Sequence, residues 1–250
     1  MKRQLISLTL VFIVAIAFTA SPAFAASKVR MTVYDQVIKS GNYVYCPAEG
    51  DGFYKVRMQE DEVVQDGVQR LVRTHFVRGG YTYNMHMKKM GKYLYYIEGS
   101  EGTYYKLRRV NLTTGKRQMV ANYGTEYAIR GHKIYAQISK DNWEDSYTRY
   151  RVMKMDGKNK KKTSARPAMK TKRSNVKGYS VSYVEHWVKE PEPETIAPPE
   201  EKPLAEDDYD YDEDYDDDLE GIDDEYVDYV ETYLKTPAGT FFLGRSYTER

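Results

Sequence analysis

Apolar and aromatic residues alternate with polar residues along most of the first 190 positions. Between Tyr93 and Ile97, for example, Tyr93, Tyr95 and Ile97 fall on one face of an extended chain, and Leu94 and Tyr96 fall on the other. A period of two residues, rich in tyrosine, valine and isoleucine, is the pattern of β-strands. Strong helix signals are absent before residue 188, so the sequence predicts an all-β fold.

A short phrase recurs three times: glycine, two polar or aromatic residues, an aliphatic residue and then tyrosine. A second phrase, tyrosine followed by a basic and an aliphatic residue, comes after each copy. The steps between the glycines are 50 and 40 residues, a period typical of a repeated antiparallel unit such as a propeller blade. The first phrase lies at Gly41–Cys46, Gly91–Tyr96 and Gly131–Ala136, and the second at Tyr54–Met58, Tyr105–Val110 and Tyr150–Met155.

Glycine-containing turns separate the strands and complete each unit. Turns such as Thr113–Lys116 and Asp156–Asn159 have the residue types of tight hairpins, in which glycine supplies a positive φ. Each full unit is therefore expected to have four strands. The repeat β-domain spans 27–189, with units at about 31–80, 81–125 and 126–170 and a partial unit from 171.

The segment 190–222 has a different composition from the repeats. It is dense in proline and carboxylates, which cannot support a packed core, so it is predicted to be a disordered acidic insert. Apolar residues return afterwards, and 223–250 is interpreted as a C-terminal hairpin that packs on the β-domain. The stretch 226–234 also fits a short helix, because Tyr226, Val230 and Tyr233 would share one face.

The first 26 residues have the parts of a secretory signal peptide. Lys2 and Arg3 precede a short apolar run, and an Ala-x-Ala site follows at 23–25. An uncleaved membrane anchor is the alternative, although the run is short for a bilayer span. Cys46 is the only cysteine, so the chain has no intrachain disulfide, and a predicted strand position favours its burial. We therefore expect a bacterial protein that is secreted, either extracellular or associated with the cell envelope.

The formal net charge of +1 is the sum of two strongly charged regions. Residues 27–189 carry 32 Lys and Arg against 15 Asp and Glu, a net charge of +17. Residues 190–231 carry one Lys against 21 Asp and Glu, a net charge of −20. Arguments from the average charge are therefore misleading for this chain.

The glycine and tyrosine phrases, together with the Asp-Gly-Lys turn, resemble those of uncharacterised secreted bacterial proteins with low-density-lipoprotein-receptor-type β-propeller-like repeats. The resemblance covers residues 31–188 and implies a binding or scaffolding domain without catalytic residues. A closed propeller has about four to eight blades, and only three units and a broken fourth are present. The ring is therefore expected to be small or incomplete, and would close if the C-terminal hairpin paired with the strand near 29–38. An open β-meander or a two-sheet sandwich is the alternative.

Two features are candidates for ligand contact. Trp143 lies in a loop that is longer than the others, where it would contact a ligand or pack on a unit as a lid. A basic cluster follows, which would hold an anionic polymer or simply keep a loop solvated. Its members lie between 154 and 177, and the site prediction takes Lys158, Lys160, Lys161, Lys162 and Arg166 from it. Because aromatic residues are missing between 158 and 177, single-stranded nucleic acid is not the expected ligand.

The acidic run at 207–218 is the candidate metal site. Hard cations take several carboxylate oxygens, so Asp210, Asp212, Asp214 and Asp216 could bind Ca²⁺ loosely. The run lacks the glycine and the terminal glutamate of a defined calcium loop. Its alternatives are a solvated acidic segment and a segment that docks on the basic domain of the same chain. Otherwise no cofactor is expected.

No catalytic motif is evident. The four histidines lack metal-ligand spacing, and the chain has no nucleophile elbow and no phosphate-binding glycine loop. The sequence therefore favours a non-catalytic exported protein that recognises a cell-envelope polymer or an extracellular protein through its loops and basic surface. One alternative is an assembly protein that its own acidic segment masks, with Ca²⁺ as a release signal. A hydrolase of envelope glycans, which would need two carboxylates about 5–10 Å apart, is less favoured.

Overall fold

The computed structural model of the chain describes residues 27–48, 52–72, 82–100, 103–140, 146–189 and 225–247. Within these residues the secondary structure consists of β-strands and turns, which confirms the all-β expectation. Residues 226–234 belong to a strand, so the helical alternative is wrong. In the described part of the chain no helix is long and apolar enough to cross a membrane. The predicted signal peptide at 1–26 lies outside the described residues.

The first twelve strands form three successive antiparallel meanders of four strands each. The first meander has β1 Lys28–Ser40, β2 Tyr43–Ala48, β3 Gly52–Gln59 and β4 Glu62–Val72. The second has β5 Thr82–Met90, β6 Tyr93–Ser100, β7 Thr103–Asn111 and β8 Arg117–Asn122. The third has β9 Gly124–Arg130, β10 Lys133–Lys140, β11 Tyr147–Lys154 and β12 Lys161–Lys162.

The glycine that opens each repeated phrase lies in the hairpin between the first and second strands of a meander. Gly41, Gly91 and Gly131 have φ values of +59°, +55° and +54°, and each begins a two-residue loop between paired strands. A side chain is strained in this region of backbone conformation, whereas glycine is not. The repeat in the sequence therefore corresponds to a repeated turn geometry.

Strands β13 to β16 follow a different plan from the first three meanders. They span Arg166–Ser174, Ser180–Lys189, Glu225–Thr236 and Gly239–Tyr247. β13 pairs with β1 in parallel, so residues 166–170 do not belong to the sheet of the third meander, where the repeat boundary put them. β14, β15 and β16 form a three-stranded antiparallel sheet. The C-terminal hairpin therefore pairs with β14 rather than with β1, contrary to the closure expected from the sequence.

Tyrosines and aliphatic residues from alternate strand positions fill three apolar clusters between the sheets. One cluster joins the first and second meanders through Phe53 and Tyr96, whose rings meet edge to face with centroids 4.5 Å apart. Another joins the second and third meanders through Tyr95 and Tyr127. The adjacent residues Tyr95 and Tyr96 thus enter opposite clusters, as their alternation predicts. β1 also pairs with β5 at Tyr34 and Met87, so the first two meanders and β13 form one nine-stranded sheet. This arrangement is consistent with a small or incomplete propeller or with a sandwich.

The third cluster joins the first meander to the C-terminal sheet. Cys46 is buried in it with Leu234, and burial raises the pKa of its thiol, as expected for a structural cysteine. Two linked hydrogen bonds lie at the edge of this cluster. Lys39 Nζ donates to Tyr179 Oη at 2.7 Å, and Tyr179 Oη donates to Asp61 Oδ1 at 2.5 Å. The Tyr179 hydroxyl and the Lys39 ammonium lower the pKa of Asp61. Packing and charge therefore hold the C-terminal sheet on the first meander.

Candidate functional site

The parallel pairing of β1 and β13 places basic side chains along one face of a two-stranded ribbon. Arg30 pairs with Ala168, and Thr32 pairs with Lys170. Because side chains alternate between the faces of a strand, the even-numbered residues of both strands share a face. All five basic members of that face are exposed, and we call them the basic stripe: Lys28, Arg30, Arg166, Lys170 and Lys172.

The opposite face of the ribbon is buried along β1, whereas Thr171 and Arg173 at the far end of β13 are exposed. Val29, Met31 and Val33 from β1 are at most 8% exposed and belong to the cluster between the second and third meanders, and Met169 of β13 packs against it. A slip of one residue would bury the basic stripe and expose this apolar set, so the packing specifies the register. The buried face therefore fixes where the five cations stand.

A shallow depression lies within the basic stripe. Its volume is about 400 Å³, and it is lined by Arg30, Thr32, Ala168 and Lys170 with Met31 and Met169. The small side chain of Ala168 stands between the longer side chains of Arg166 and Lys170 on the same strand and face. Cationic side chains therefore surround the space above Ala168, and this arrangement can hold an anionic group between Arg30 and Lys170.

The chain segment that contains β13 carries charged side chains of one sign. Residues 157–184 contain nine Lys and Arg and no Asp or Glu. Within the described part of the chain, none of the basic stripe residues forms an ion pair; Arg166 instead places its guanidinium 5.4 Å from the ring centroid of Tyr150. Cations that form no ion pair contribute to a positive potential that attracts anions from a distance.

The basic surface continues from β13 toward β5. Tyr34 pairs with Lys172, and Lys88 Nζ of β5 lies 5.9 Å from the centroid of the Tyr34 ring. A second depression, of about 210 Å³, is lined by Tyr34, Lys39, Lys88 and Lys89 among others. The positive surface is thus elongated and extends past the end of the parallel ribbon.

The residues predicted from the sequence fall into separate groups. Lys158 and Lys160 lie between β11 and β12, and Lys161 and Lys162 form β12, paired with Val152 and Arg151; all four are exposed. Arg166 is the member of the predicted set that lies in the basic stripe. The prediction missed Lys28 and Arg30, although the alternation of basic and apolar residues at 28–33 is a signal that could have found them.

The other candidate residues lie outside the described part of the chain. These are Trp143 and the four candidate calcium ligands Asp210, Asp212, Asp214 and Asp216. Within the described residues, no group of three or more histidine, cysteine, aspartate or glutamate side chains could hold a metal ion. The part of the candidate site that the structure describes is therefore cationic.

Comparison with known proteins does not add a relative to this description. No protein-family model matches the chain, and a search of curated proteins finds no significantly similar sequence. The function must therefore be argued from the basic stripe and its surroundings.

Proposed function

We propose that this chain is a non-catalytic exported protein that binds an anionic polymer of the cell envelope through the basic stripe. The observation that carries the proposal is the register of β1 and β13, which aligns five exposed cations on a ribbon with a buried back. Arginine binds phosphate through a planar fork and lysine through a point charge, so the mixture suits phosphate or carboxylate groups.

The spacing of the basic stripe supports a polymer rather than a small anion. Alternate residues of a strand lie about 6.5–7 Å apart, and neighbouring strands are about 4.8 Å apart. From Lys28 and Arg166 to Lys172, the cations extend over roughly 20 Å of ribbon, as the rise per residue implies. A chain with a charged group in each repeat can contact several of them at once, so weak single contacts add up.

Salt provides the direct test of this proposal. The full chain is expected to bind immobilised wall teichoic acid and dextran sulfate, and not to bind neutral dextran. With five contacts, scaling from the behaviour of basic proteins on DNA gives a loss of about 500-fold in affinity between 50 and 200 mM NaCl. Biolayer interferometry at four salt concentrations measures the slope. Binding that does not change with salt, or no binding at 50 mM, contradicts the proposal.

A second candidate function is self-masking by the acidic segment. Lys189 of β14 pairs with Glu225 of β15, so the two described residues that flank the acidic segment are neighbours in the sheet. Residues 190–224 contain 18 Asp and Glu and one Lys. The specific observation that favours this candidate is the opposite charge of the basic stripe on the same chain, although salt screens such attraction beyond about 8–10 Å.

Replacing residues 190–224 by an Asn-Gly hairpin loop tests this second candidate, because paired strand ends accept a two-residue turn. If the segment competes with the polymer, the shortened chain should bind dextran sulfate about tenfold more tightly at 50 mM NaCl. Added Ca²⁺ should then strengthen binding by the full chain but not by the shortened one. Equal affinities of the two chains reject self-masking and leave the basic stripe proposal standing.

A further inference from the structure

The C-terminal sheet has one buried face and one aromatic face. Leu234 and Leu243 lie on the face that packs on the first meander. On the opposite face, Val184, Phe242 and Tyr247 are 45%, 50% and 59% exposed. Contiguous exposed apolar surface on a folded protein commonly marks an interaction site. We call this surface the aromatic face, and its members are Val184, His186, Tyr229, Tyr233, Phe242 and Tyr247.

Ring contacts arrange the aromatic face in two rows across the strands. In the first row the Tyr229 ring stacks on His186 with centroids 4.3 Å apart, and its centroid lies 5.8 Å from that of Tyr247. In the second row the centroids of Tyr233 and Phe242 are 5.6 Å apart. Tyr229 and Tyr233 are four residues apart on β15, so the rows are about 13 Å apart. The aromatic face is therefore an ordered surface rather than a set of isolated side chains.

Polar contacts between the two rows hold Glu231 within the surface. Its carboxylate accepts hydrogen bonds from Arg245 Nε at 2.8 Å and from the Tyr233 hydroxyl at 2.6 Å, and it lies 3.3 Å from His186 Nε2. The Glu231 side chain is mostly covered, whereas Arg245 and Lys235 on the same face are exposed. The charges that the aromatic face presents to a partner are therefore positive.

The aromatic face is too small for a second folded copy of the chain. Three strands about 4.8 Å apart and the six residue steps from Tyr229 to Lys235 give about 14 by 20 Å, or roughly 300 Å². A stable contact between two proteins buries about 800 Å² on each partner. The dimensions instead suit one extended peptide that crosses both rows of rings.

The sequence supplies such a peptide where β14 ends. Residues 190–203, which lie outside the described part of the chain, follow Lys189 directly and contain five prolines and five glutamates. Proline-rich sequences favour the polyproline II helix and dock on surfaces lined by aromatic rings. The glutamates complement the exposed charges of Arg245 and Lys235. The composition of this segment therefore matches both the rings and the charge of the aromatic face.

Distances along the chain allow the segment to reach both rows. His186 of the first row is three residues from the end of β14, so the chain leaves the sheet about 10 Å from that row. A polyproline II helix rises about 3.1 Å per residue, which puts Pro199 and Pro203 about 12 Å apart, close to the separation of the rows. The ten residue steps from Lys189 to Pro199 can span about 33 Å, enough to reach either row.

We propose that residues 190–203 dock on the aromatic face of the same chain, with prolines against the two rows of rings and glutamates near Arg245 and Lys235. Because the segment is tethered beside this face, its effective concentration is in the millimolar range. A contact with a Kd of about 1 mM or less for the free peptide therefore keeps the segment docked. The docking does not involve the basic stripe.

A spin label on the segment tests the proposal in the full chain. Cys46 is the only cysteine and is buried, so Thr195→Cys provides one accessible thiol for a nitroxide. The docked label should broaden the NMR amide signals of β16 and leave those of β6 unchanged. A variant with Phe242→Ser and Tyr247→Ser loses two ring contacts, so its ratio of docked to undocked segment should fall about 10-fold and the broadening with it. Both side chains are exposed, and the variant should therefore fold normally.

The variant with Tyr43→Ser and Met119→Ser is the matched control, because it also removes two exposed large side chains, from β2 and β8. It should keep the broadening, whereas Pro199→Ser with Pro203→Ser should lose it. Mixing the labelled chain with an unlabelled, isotope-enriched copy identifies the source, since broadening in the copy means that the segment docks on a second molecule. That result, the absence of broadening in β16, or broadening that survives the ring and proline substitutions overturns the proposal. Dextran sulfate is not used, so the outcome is independent of the polymer proposal.

Discussion

Reversing two charges of the basic stripe, with Lys170→Glu and Lys172→Glu in one variant, is expected to weaken binding to dextran sulfate by about 1,000-fold. A basic residue near an anionic surface contributes about 1 kcal/mol, and a reversal roughly doubles the change. Two reversals therefore remove about 4 kcal/mol, which corresponds to three orders of magnitude in Kd. Both side chains are exposed on a fixed ribbon, so the variant should fold normally.

The chain offers a matched control for this experiment. Lys133 of β10 and Lys154 of β11 are also exposed and lie opposite each other in an antiparallel pair of the third meander. Replacing both by glutamate changes the net charge by the same amount at a distinct surface. The control should keep most of its affinity. Equal losses in the two variants would mean that total charge, rather than the basic stripe, determines binding.

The substitution Gly157→Ala is expected to cost the largest amount of stability of any single change considered for this chain. Gly157 has a φ of +82°, and a Cβ atom there would lie 2.4 Å from the carbonyl oxygen of Val120 in β8. That oxygen is part of a strand backbone and cannot move aside cheaply. We expect a loss of about 3 kcal/mol in the free energy of unfolding, combining the strain of a positive φ with the clash.

The surroundings of Gly157 explain why the clash cannot be relieved by moving the turn. The carbonyl oxygen of Met155 accepts hydrogen bonds from Tyr95 Oη at 3.0 Å and from Arg109 Nη1 at 2.9 Å. Both donors belong to the second meander, so the turn between β11 and β12 is anchored on the neighbouring sheet. Moving the turn would break these bonds.

Gly131→Ala is the control for Gly157→Ala. Gly131 has a φ of +54°, and a Cβ atom there would meet no atom within 4 Å. The free energy of unfolding of this variant should therefore fall only by the cost of the backbone strain, about 1 kcal/mol. Urea denaturation followed by tryptophan fluorescence measures both values. If the two variants lose the same stability, the close approach of Gly157 to β8 does not affect the fold.

Local patterns in the sequence were sufficient to predict the strands and turns. They were not sufficient to predict which distant strands pair with each other. The alternation around Tyr93–Ile97 predicts a strand with Tyr95 and Tyr96 on opposite faces, and the positive φ of Gly157 is implicit in its Asp-Gly-Lys turn. By contrast, nothing local indicates that β13 leaves the third meander to pair with β1. That choice depends on which apolar faces remain to be covered once the meanders have stacked.

The site predictions were incomplete for the same reason. Basic residues are densest along the sequence at Lys158–Lys162. In space, however, strand pairing brings Lys28 and Arg30 next to basic residues about 140 positions later.

The parallel ribbon also has a consequence for how the molecule is made. The end of β1 can form its hairpin with β2 early in synthesis. Val29 near its start pairs with Pro167, so this part of β1 can pair only after most of the chain has been synthesised. Such distant pairing raises contact order and slows folding. During this delay an unpaired edge stays available to a neighbouring molecule, so refolding yield should fall as protein concentration rises.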